Sequence, residues 1–126
     1  MAHPQAEEDV FPICDEHEVS CITYSPLGAG FLTGKYTPDR DQLPAGTRFD
    51  VIPGHCDVYF SDEGFRVVEQ LRARSKSIGL SMAYLVGAWA TSSPHVACTL
   101  FGARTSDHVD NALAALAAER GSEFGV

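Results

Sequence analysis

The chain has 126 residues, which is the size of one domain with one hydrophobic core, and its 44% hydrophobic and 21% charged residues are a globular composition. A net charge of −8 without a long basic block argues against a nucleic-acid partner. Since no apolar run reaches the roughly 20 residues of a membrane span and MAHPQAEEDV lacks a signal-peptide core, we expect a cytoplasmic protein with no membrane partner.

The first two predicted elements are a helix and a strand. Val10, Ile13 and Cys14 have the i, i+3, i+4 spacing of an amphipathic helix, which Pro12 should delay or kink. The following CITY, residues 21–24, is short and mostly apolar. This composition predicts a strand buried on both faces of a parallel sheet.

Residues 25–61 contain prolines, glycines and aspartates too often for regular structure. They predict one long loop, and loops of this length in a compact domain usually have a function. The next two elements are predicted helices. Ser61 is a suitable N-cap for the first and Gly79 a suitable stop, while Ser81 precedes the second and Pro94 ends it.

The last predicted elements are a buried strand, VACTLF at residues 96–101, and a helix capped by Thr105 or Ser106. Strands that alternate with helices indicate right-handed parallel crossovers and the α/β class. Two strands by themselves cannot close a sheet.

The four cysteines form no CxxC pair, and with no export signal we expect free thiols. Cys14, His17 and Cys21, with His55 or Cys56 as a fourth ligand, would be a possible zinc set. Cys21 should point away from the helix face that carries Cys14 and His17, so we expect the cysteines to pack in the core and to bind no metal.

The glycine-rich stretch YSPLGAGFLTGKY, residues 24–36, resembles nucleotide-binding motifs without matching them. A P-loop would need glycine at Ala29 and Ser or Thr at Tyr36, and the dinucleotide fingerprint would need glycine at Thr33. Its position after a buried strand is nevertheless where α/β proteins bind ligands.

The residues after both strands suit a ligand with phosphate groups. Tyr24 can stack on a flat ring, Ser25 can hold a phosphate oxygen, and Lys35 adds a positive charge. After the second strand, Gly102 permits close approach and Arg104 offers a planar fork just before a helix N-terminus. Side by side, these strand ends would hold two separated phosphates of one ligand.

Three segments together resemble the C-terminal part of an aldo-keto reductase: ITYSPLGAGFLTGKY, PAGTRFD and TLFGARTSDHVDN. The resemblance covers essentially the whole chain in the family's order. It implies a single segment, residues 1–126, that forms the C-terminal fragment of a (β/α)8 TIM-type barrel without its N-terminal part. About two parallel strands, flanking helices and one long cofactor loop at about 25–61 would form this fragment.

The resemblance also implies a site for NADP(H). Tyr24 would stack on the nicotinamide, and Gly102 and Arg104 would take the 2′-phosphate, which suits NADP better than NAD. The pyrophosphate would be lined by the residues at the first strand end and clasped by two basic residues of the loop: Ser25, Pro26, Leu27, Gly28 and Gly30, with Lys35 and Arg48.

His108 and Asn111 depart from the family's usual residues, which are Gln at the first position and Glu-Asn at 111 and 112. Three alternatives are open. Asn111 contacts adenine from one position earlier, His108 stacks on it or donates to it, or both are solvated helix residues.

The family's catalytic Asp, Tyr, Lys and His belong to early strands that have no counterpart here, so no catalytic residue is predicted and the chain alone should be inactive. The favoured function is the cofactor-binding part of an NADP(H)-dependent oxidoreductase acting on small aldehydes or ketones. Alternatives are a non-catalytic NADP-binding or assembly module and, less favoured, a small zinc-binding domain. The patterns predict no particular oligomeric state.

Overall fold

The computed structural model describes residues 5–117. Its strands are β1 (Cys21–Tyr24) and β2 (Val96–Leu100). Its α-helices are α1 (Gln5–Asp9), α2 (Phe11–Glu16), α3 (Arg48–Val51), α4 (Cys56–Tyr59), α5 (Asp62–Ile78), α6 (Met82–Ser92) and α7 (Ser106–Leu116). Short 3-10 segments lie at Gly28–Thr33, Arg40–Gln42 and Pro53–His55.

The predicted first helix is divided into α1 and α2 at Val10, as the proline suggested. Pro12 lies in the first turn of α2, where its missing N–H has no intrahelical partner to lose. After α2 the chain reverses at Glu18, whose φ of 53° is left-handed, and enters β1.

The two strands are parallel neighbours, with Tyr24 opposite Leu100, as the α/β prediction requires. On one face the hydroxyls of Thr23 and Thr99 are 2.9 Å apart, and Thr99 donates to the carbonyl of Ala90 in α6 at 3.3 Å. This hydrogen bond ties that face of the sheet to α6.

The other face of the sheet is open, so the expectation of a first strand buried on both faces and of a buried second strand is wrong for this chain. Ile22 is 66% exposed, and Tyr24 and Leu100 beside it are also exposed. The reason is that apolar composition identifies a strand built for burial, whereas burial itself needs a neighbouring element on each face.

The three longest helices begin at the expected caps. Ser61 accepts from the amide of Gly64 at 3.0 Å, Ser81 accepts from Tyr84 at 3.0 Å, and Thr105 accepts from His108 at 3.4 Å. Helix α5 ends at the left-handed Gly79. Of the two alternatives for α7, the structure therefore selects Thr105.

The segment 25–61 is not an irregular loop, because it contains the short helices α3 and α4 and supplies most of the main core. Tyr36 stacks on Phe49 with ring centroids 4.5 Å apart, and Phe31 meets Phe65 of α5 edge to face at 5.1 Å. The buried core residues of this cluster come from the segment and from α5 and α6: Phe31, Leu32, Tyr36, Phe49, Cys56, Val68, Leu71, Leu85 and Val86.

Helix α7 packs closely on α6, where Gly87 leaves room for it. A Cβ at Gly87 would lie 2.9 Å from the Cβ of Ala115 and 3.2 Å from the ring of Phe101. This close contact between α6 and α7 helps to position α7 and the loop before it relative to the sheet. None of the helices described within residues 5–117 is long and apolar enough to cross a bilayer.

Candidate functional site: a groove at the strand ends

The C-terminal ends of β1 and β2 open onto one groove of about 1020 Å³. Tyr24 and Ser25 line it from β1, and Phe101 and Gly102 line it from β2. The two strand ends therefore lie side by side, as the parallel arrangement predicted. The segment 46–59 forms a further wall.

The groove brings together almost all of the residues that the sequence singled out. They are Tyr24, Ser25, Pro26, Leu27, Gly30, Lys35, Arg48, Gly102, Arg104, His108 and Asn111. Among the predicted site residues, Gly28 does not line it. Residues up to 87 positions apart in the chain thus share one surface, because both strands end at the same edge of the sheet.

The groove is cationic in a chain whose net charge is −8. Lys35, Arg48 and Arg104 line it, together with His55 and His108. None of the described residues that line it is an aspartate or a glutamate. Positive charge with no carboxylate among these lining residues favours an anionic ligand, and the concave shape concentrates the field.

The turn after β1 is held by unusual backbone angles. Ser25 and Ala29 have φ of 52° and 56°, which non-glycine residues rarely adopt, and Gly30 has φ of 91°. The amides of Gly28 and Gly30 donate inside the turn, to Ser25 at 2.8 Å and to Leu27 at 3.0 Å. These two glycines therefore contribute space rather than free amides.

Lys35 folds back over Gly30. A Cβ at Gly30 would lie 2.9 Å from the Lys35 Nζ, so a larger residue there would displace the ammonium. The same Nζ lies 5.1 Å from the ring centroid of Tyr36, a cation–π distance. Lys35 is thus placed over the floor of the groove by contacts within its own segment.

Gly28 is buried and supports Tyr59 instead of facing the groove. A Cβ at Gly28 would approach the Tyr59 ring to 2.9 Å, and that ring stacks on Phe31 and Phe49 at 5.8 Å each. Burial, and to a lesser extent the nearby Tyr24, raises the pKa of Tyr59. The sequence did not identify Tyr59 as a groove residue.

The same wall includes other residues that the sequence did not predict for the cofactor site. They are Gly46, Thr47, Val51, His55 and Val58. The PAGTRFD motif, which contains Arg48, could have indicated them. Where one residue of a short segment lines a site, residues close to it in the chain often line the same site.

On the opposite side, His108 and Asn111 are held by local hydrogen bonds. The amide of Arg104 donates to the His108 Nδ1 at 3.2 Å. Asn111 accepts from the Ser81 hydroxyl at 2.9 Å and donates to the carbonyl of Asp107 at 2.7 Å. Both side chains line the groove, but Asn111 also ties α7 to the start of α6.

The cysteine geometry differs from the expectation. The Cys14 and Cys21 sulfurs are 3.2 Å apart, because the left-handed turn at Glu18 folds the strand start back against α2. His17 is exposed, and within residues 5–117 no three His, Cys, Asp or Glu side chains converge as a metal site would require. All four cysteines are free thiols.

The fold and groove define a class: an α/β protein whose parallel strand ends frame a groove lined by basic residues. The sequence matches the model of the aldo/keto reductase family over residues 1–123, and the chain belongs to this family. The two parallel strands with flanking helices are consistent with part of the family's (β/α)8 barrel. The predicted fold class and family are thus confirmed.

Curated relatives agree with this assignment. The chain is 27% identical over 92% of its length to a probable voltage-gated potassium channel subunit beta of Arabidopsis thaliana, covering 35% of that protein. It is 33% identical over 76% of its length to an uncharacterized oxidoreductase of Mycobacterium tuberculosis, covering 28% of it. Over 36% of its length it is 44% identical to a chloroplastic pyridoxal reductase of Arabidopsis thaliana, covering 13% of it.

The chain therefore spans about a third of the length of the first two of these relatives.

Proposed function

We propose that the groove binds NADP(H) and that the chain is the cofactor-binding C-terminal part of an oxidoreductase that reduces small aldehydes or ketones. The observation that carries the proposal is the convergence of the predicted cofactor residues on one groove lined by cations and by no described carboxylate. The proposal includes a cytoplasmic location, with neither nucleic acid nor membrane as partner.

The groove fits a dinucleotide in charge and in size. Its volume of about 1020 Å³ is at the upper end of ordinary small-molecule sites, as a long ligand requires. Lys35 and Arg48 come from the segment after β1, whereas Arg104 follows β2. This arrangement offers positive charge to two separate phosphate positions of one ligand.

The apolar and small residues fit the rest of such a ligand. Tyr24 is 79% exposed at the groove, so one face of its ring is accessible to a flat heterocycle. At Gly102 a Cβ would meet nothing within 4 Å, which leaves open space beside the backbone before Arg104. A nicotinamide near Tyr24 and a 2′-phosphate near Arg104 match these features.

The bound cofactor would supply hydride transfer to a carbonyl carbon, and the residues of this chain would hold and orient it. Tyr24 would fix the orientation of the reacting ring by stacking. Arg48 and Lys35 would hold the pyrophosphate from the segment that also builds the core. Arg104 would select the phosphorylated form of the cofactor, because a guanidinium can donate two parallel hydrogen bonds to a phosphate.

The cofactor assignment is tested by titrating the 126-residue chain with NADPH and NADH, using calorimetry. Arg104→Ala should weaken NADPH binding by about 10- to 150-fold, which corresponds to about 1.5–3 kcal/mol for lost charge-assisted hydrogen bonds. NADH should be almost unaffected, since it lacks the 2′-phosphate.

The matched control is Lys35→Ala, which should weaken both cofactors alike because it acts on the part they share. Equal losses for NADPH and NADH in the Arg104 variant would show that Arg104 does not recognise the 2′-phosphate. Lack of binding of either cofactor by the folded chain would reject the groove as a dinucleotide site.

The second prediction is that the chain alone does not reduce carbonyl compounds. Tyr24, Tyr36, Tyr59 and Tyr84 do not match the proton-donating tyrosine of the family's catalytic set, and the remaining members of that set belong to early strands. NADPH absorbance should therefore stay constant when the purified chain is mixed with an aldehyde. Sustained, protein-dependent NADPH consumption would contradict this expectation and locate a proton donor within the chain.

A non-catalytic NADP-binding or assembly module is the second candidate, because some of the relatives are named as potassium channel beta subunits. Both candidates predict the same groove and the same cofactor preference. The coding sequence upstream of Met1 distinguishes them: the family's Asp, Tyr, Lys and His on early strands would favour the reductase, and their replacement would favour the module.

A further inference from the structure

Cys14 and Cys21 form a thiol pair at the end of the sheet away from the groove. Their Sγ atoms are 3.2 Å apart, Cys14 is only 6% exposed, and Cys21 is partly exposed. The turn that joins them is closed by a hydrogen bond from the amide of Val19 to the carbonyl of Cys14 at 3.0 Å. The two sulfurs face each other directly across this turn.

Contacts around the pair keep α2 against the sheet. The amide of Cys21 donates to the carbonyl of His95 at 2.8 Å, which attaches the start of β1 to the residue before β2. The His95 ring stacks on Phe11 of α2 at 4.6 Å, and its Nε2 lies 3.0 Å from the Asp15 carboxylate. His95 thus contacts the helix that carries Cys14 through its ring and the strand that carries Cys21 through its backbone carbonyl.

We propose that Cys14 and Cys21 are an oxidation site that hydrogen peroxide converts to an intramolecular disulfide. The observations that carry the proposal are the direct contact of the sulfurs and the independent contacts that keep their two elements together. The proposal does not depend on the cofactor site, because neither cysteine lines the groove.

Oxidation of the pair takes two steps. The Cys21 sulfur, the more accessible of the two, attacks one peroxide oxygen, which breaks the O–O bond, releases water and leaves a sulfenic acid. The Cys14 sulfur then attacks the Cys21 sulfur, forms the S–S bond and expels the second oxygen as water. Two thiols lose two hydrogens in total, and one peroxide becomes two waters.

The order of these events follows from the environment of each thiol. Hydrogen bonding with Cys21, followed by burial, raises the pKa of Cys14, so its thiol stays protonated and protected. Cys21 is more exposed and meets the oxidant first. The product ties α2 to β1 through a short loop, which restricts the unfolded chain and should raise thermal stability.

The test exposes the reduced chain to a small excess of hydrogen peroxide, removes the peroxide with catalase, and alkylates the denatured protein. Wild-type protein should form no disulfide between chains and should lose two alkylatable thiols. Cleavage after the glutamates between the cysteines should yield peptides joined through Cys14 and Cys21. The midpoint of thermal unfolding should rise by roughly 5–10 °C on oxidation and return on reduction.

Two variants are the matched controls. Cys98→Ser removes an exposed thiol on β2 and should leave the joined peptides unchanged. Cys21→Ser should abolish them and leave Cys14 reduced. Peptides joined through Cys98, or Cys21 sulfinic acid with Cys14 still free, would overturn the proposal. Peptide mapping of the wild-type chain decides the question even if the Cys21 variant does not fold.

Discussion

At Gly28 two separate features of the backbone and its surroundings require glycine. Its φ of 55° is left-handed, and a Cβ there would lie 2.9 Å from the Tyr59 ring. That ring cannot move aside easily, because it stacks on Phe31 and Phe49. Gly28 therefore leaves space for Tyr59, a side chain that lines the groove.

We predict that Gly28→Ala lowers the free energy of unfolding by about 2–4 kcal/mol, the sum of left-handed backbone strain and overpacking. Gly46→Ala is the control, because Gly46 has a φ of 71° but a Cβ there would meet nothing within 4 Å. It should cost only about 1–2 kcal/mol. Urea denaturation measures both. Equal losses of unfolding free energy in the two variants would show that the contact with Tyr59 adds nothing to the destabilisation by Gly28→Ala.

At the scale of elements, the segment 25–61 combines two roles. Its aromatic residues build the core against α5 and α6, and its surface carries Lys35 and Arg48 into the groove. In the helix α3, Arg48 lines the groove while the next residue, Phe49, is completely buried. The position of the basic residues is thereby coupled to core packing.

Two neighbouring positions in the short helix α3 test how much the segment contributes to the stability of the core. Phe49→Ala should lower the free energy of unfolding by about 3–5 kcal/mol, because it removes a fully buried ring. Val51→Ala, two residues later and 68% exposed, should change it by less than about 0.5 kcal/mol. Chemical denaturation followed by circular dichroism compares them. Similar unfolding free energies of the two variants would mean that the segment contributes little to the stability of the core.

At the scale of the whole molecule, the open face of the sheet is an exposed apolar surface within the described residues. Ile22 and Tyr24 of β1 lie beside Cys98 and Leu100 of β2, and all four are exposed. An apolar sheet face in water is an association surface.

We therefore expect concentration-dependent association of the chain in sedimentation velocity experiments. Ile22→Lys should shift the distribution toward monomer, because it places a charge in the centre of this face. Val19→Lys is the control, since Val19 is exposed in the turn before β1 and outside the sheet. A wild-type chain that stays monomeric at high concentration, or equal effects of both variants, would contradict the expectation.

Local chemistry made much of the fold predictable from the sequence. Ser61, Gly79 and Ser81 define helix boundaries through hydrogen bonds and backbone angles that involve only residues a few positions away. The strands CITY and VACTLF were identified by composition, and the order of elements gave their parallel pairing. Almost all of the site residues that the resemblance to the aldo-keto reductases implied then lie in the groove.

The tertiary structure alone decided which distant residues meet. The sequence could not show that Cys21 turns back to Cys14 or that Gly28 faces Tyr59. The composition of 25–61 predicted a loop, because prolines and glycines interrupt regular structure, but not that its aromatic rings would build the core. Helix caps and periodicity act over about four residues, whereas these contacts depend on the path of the whole chain.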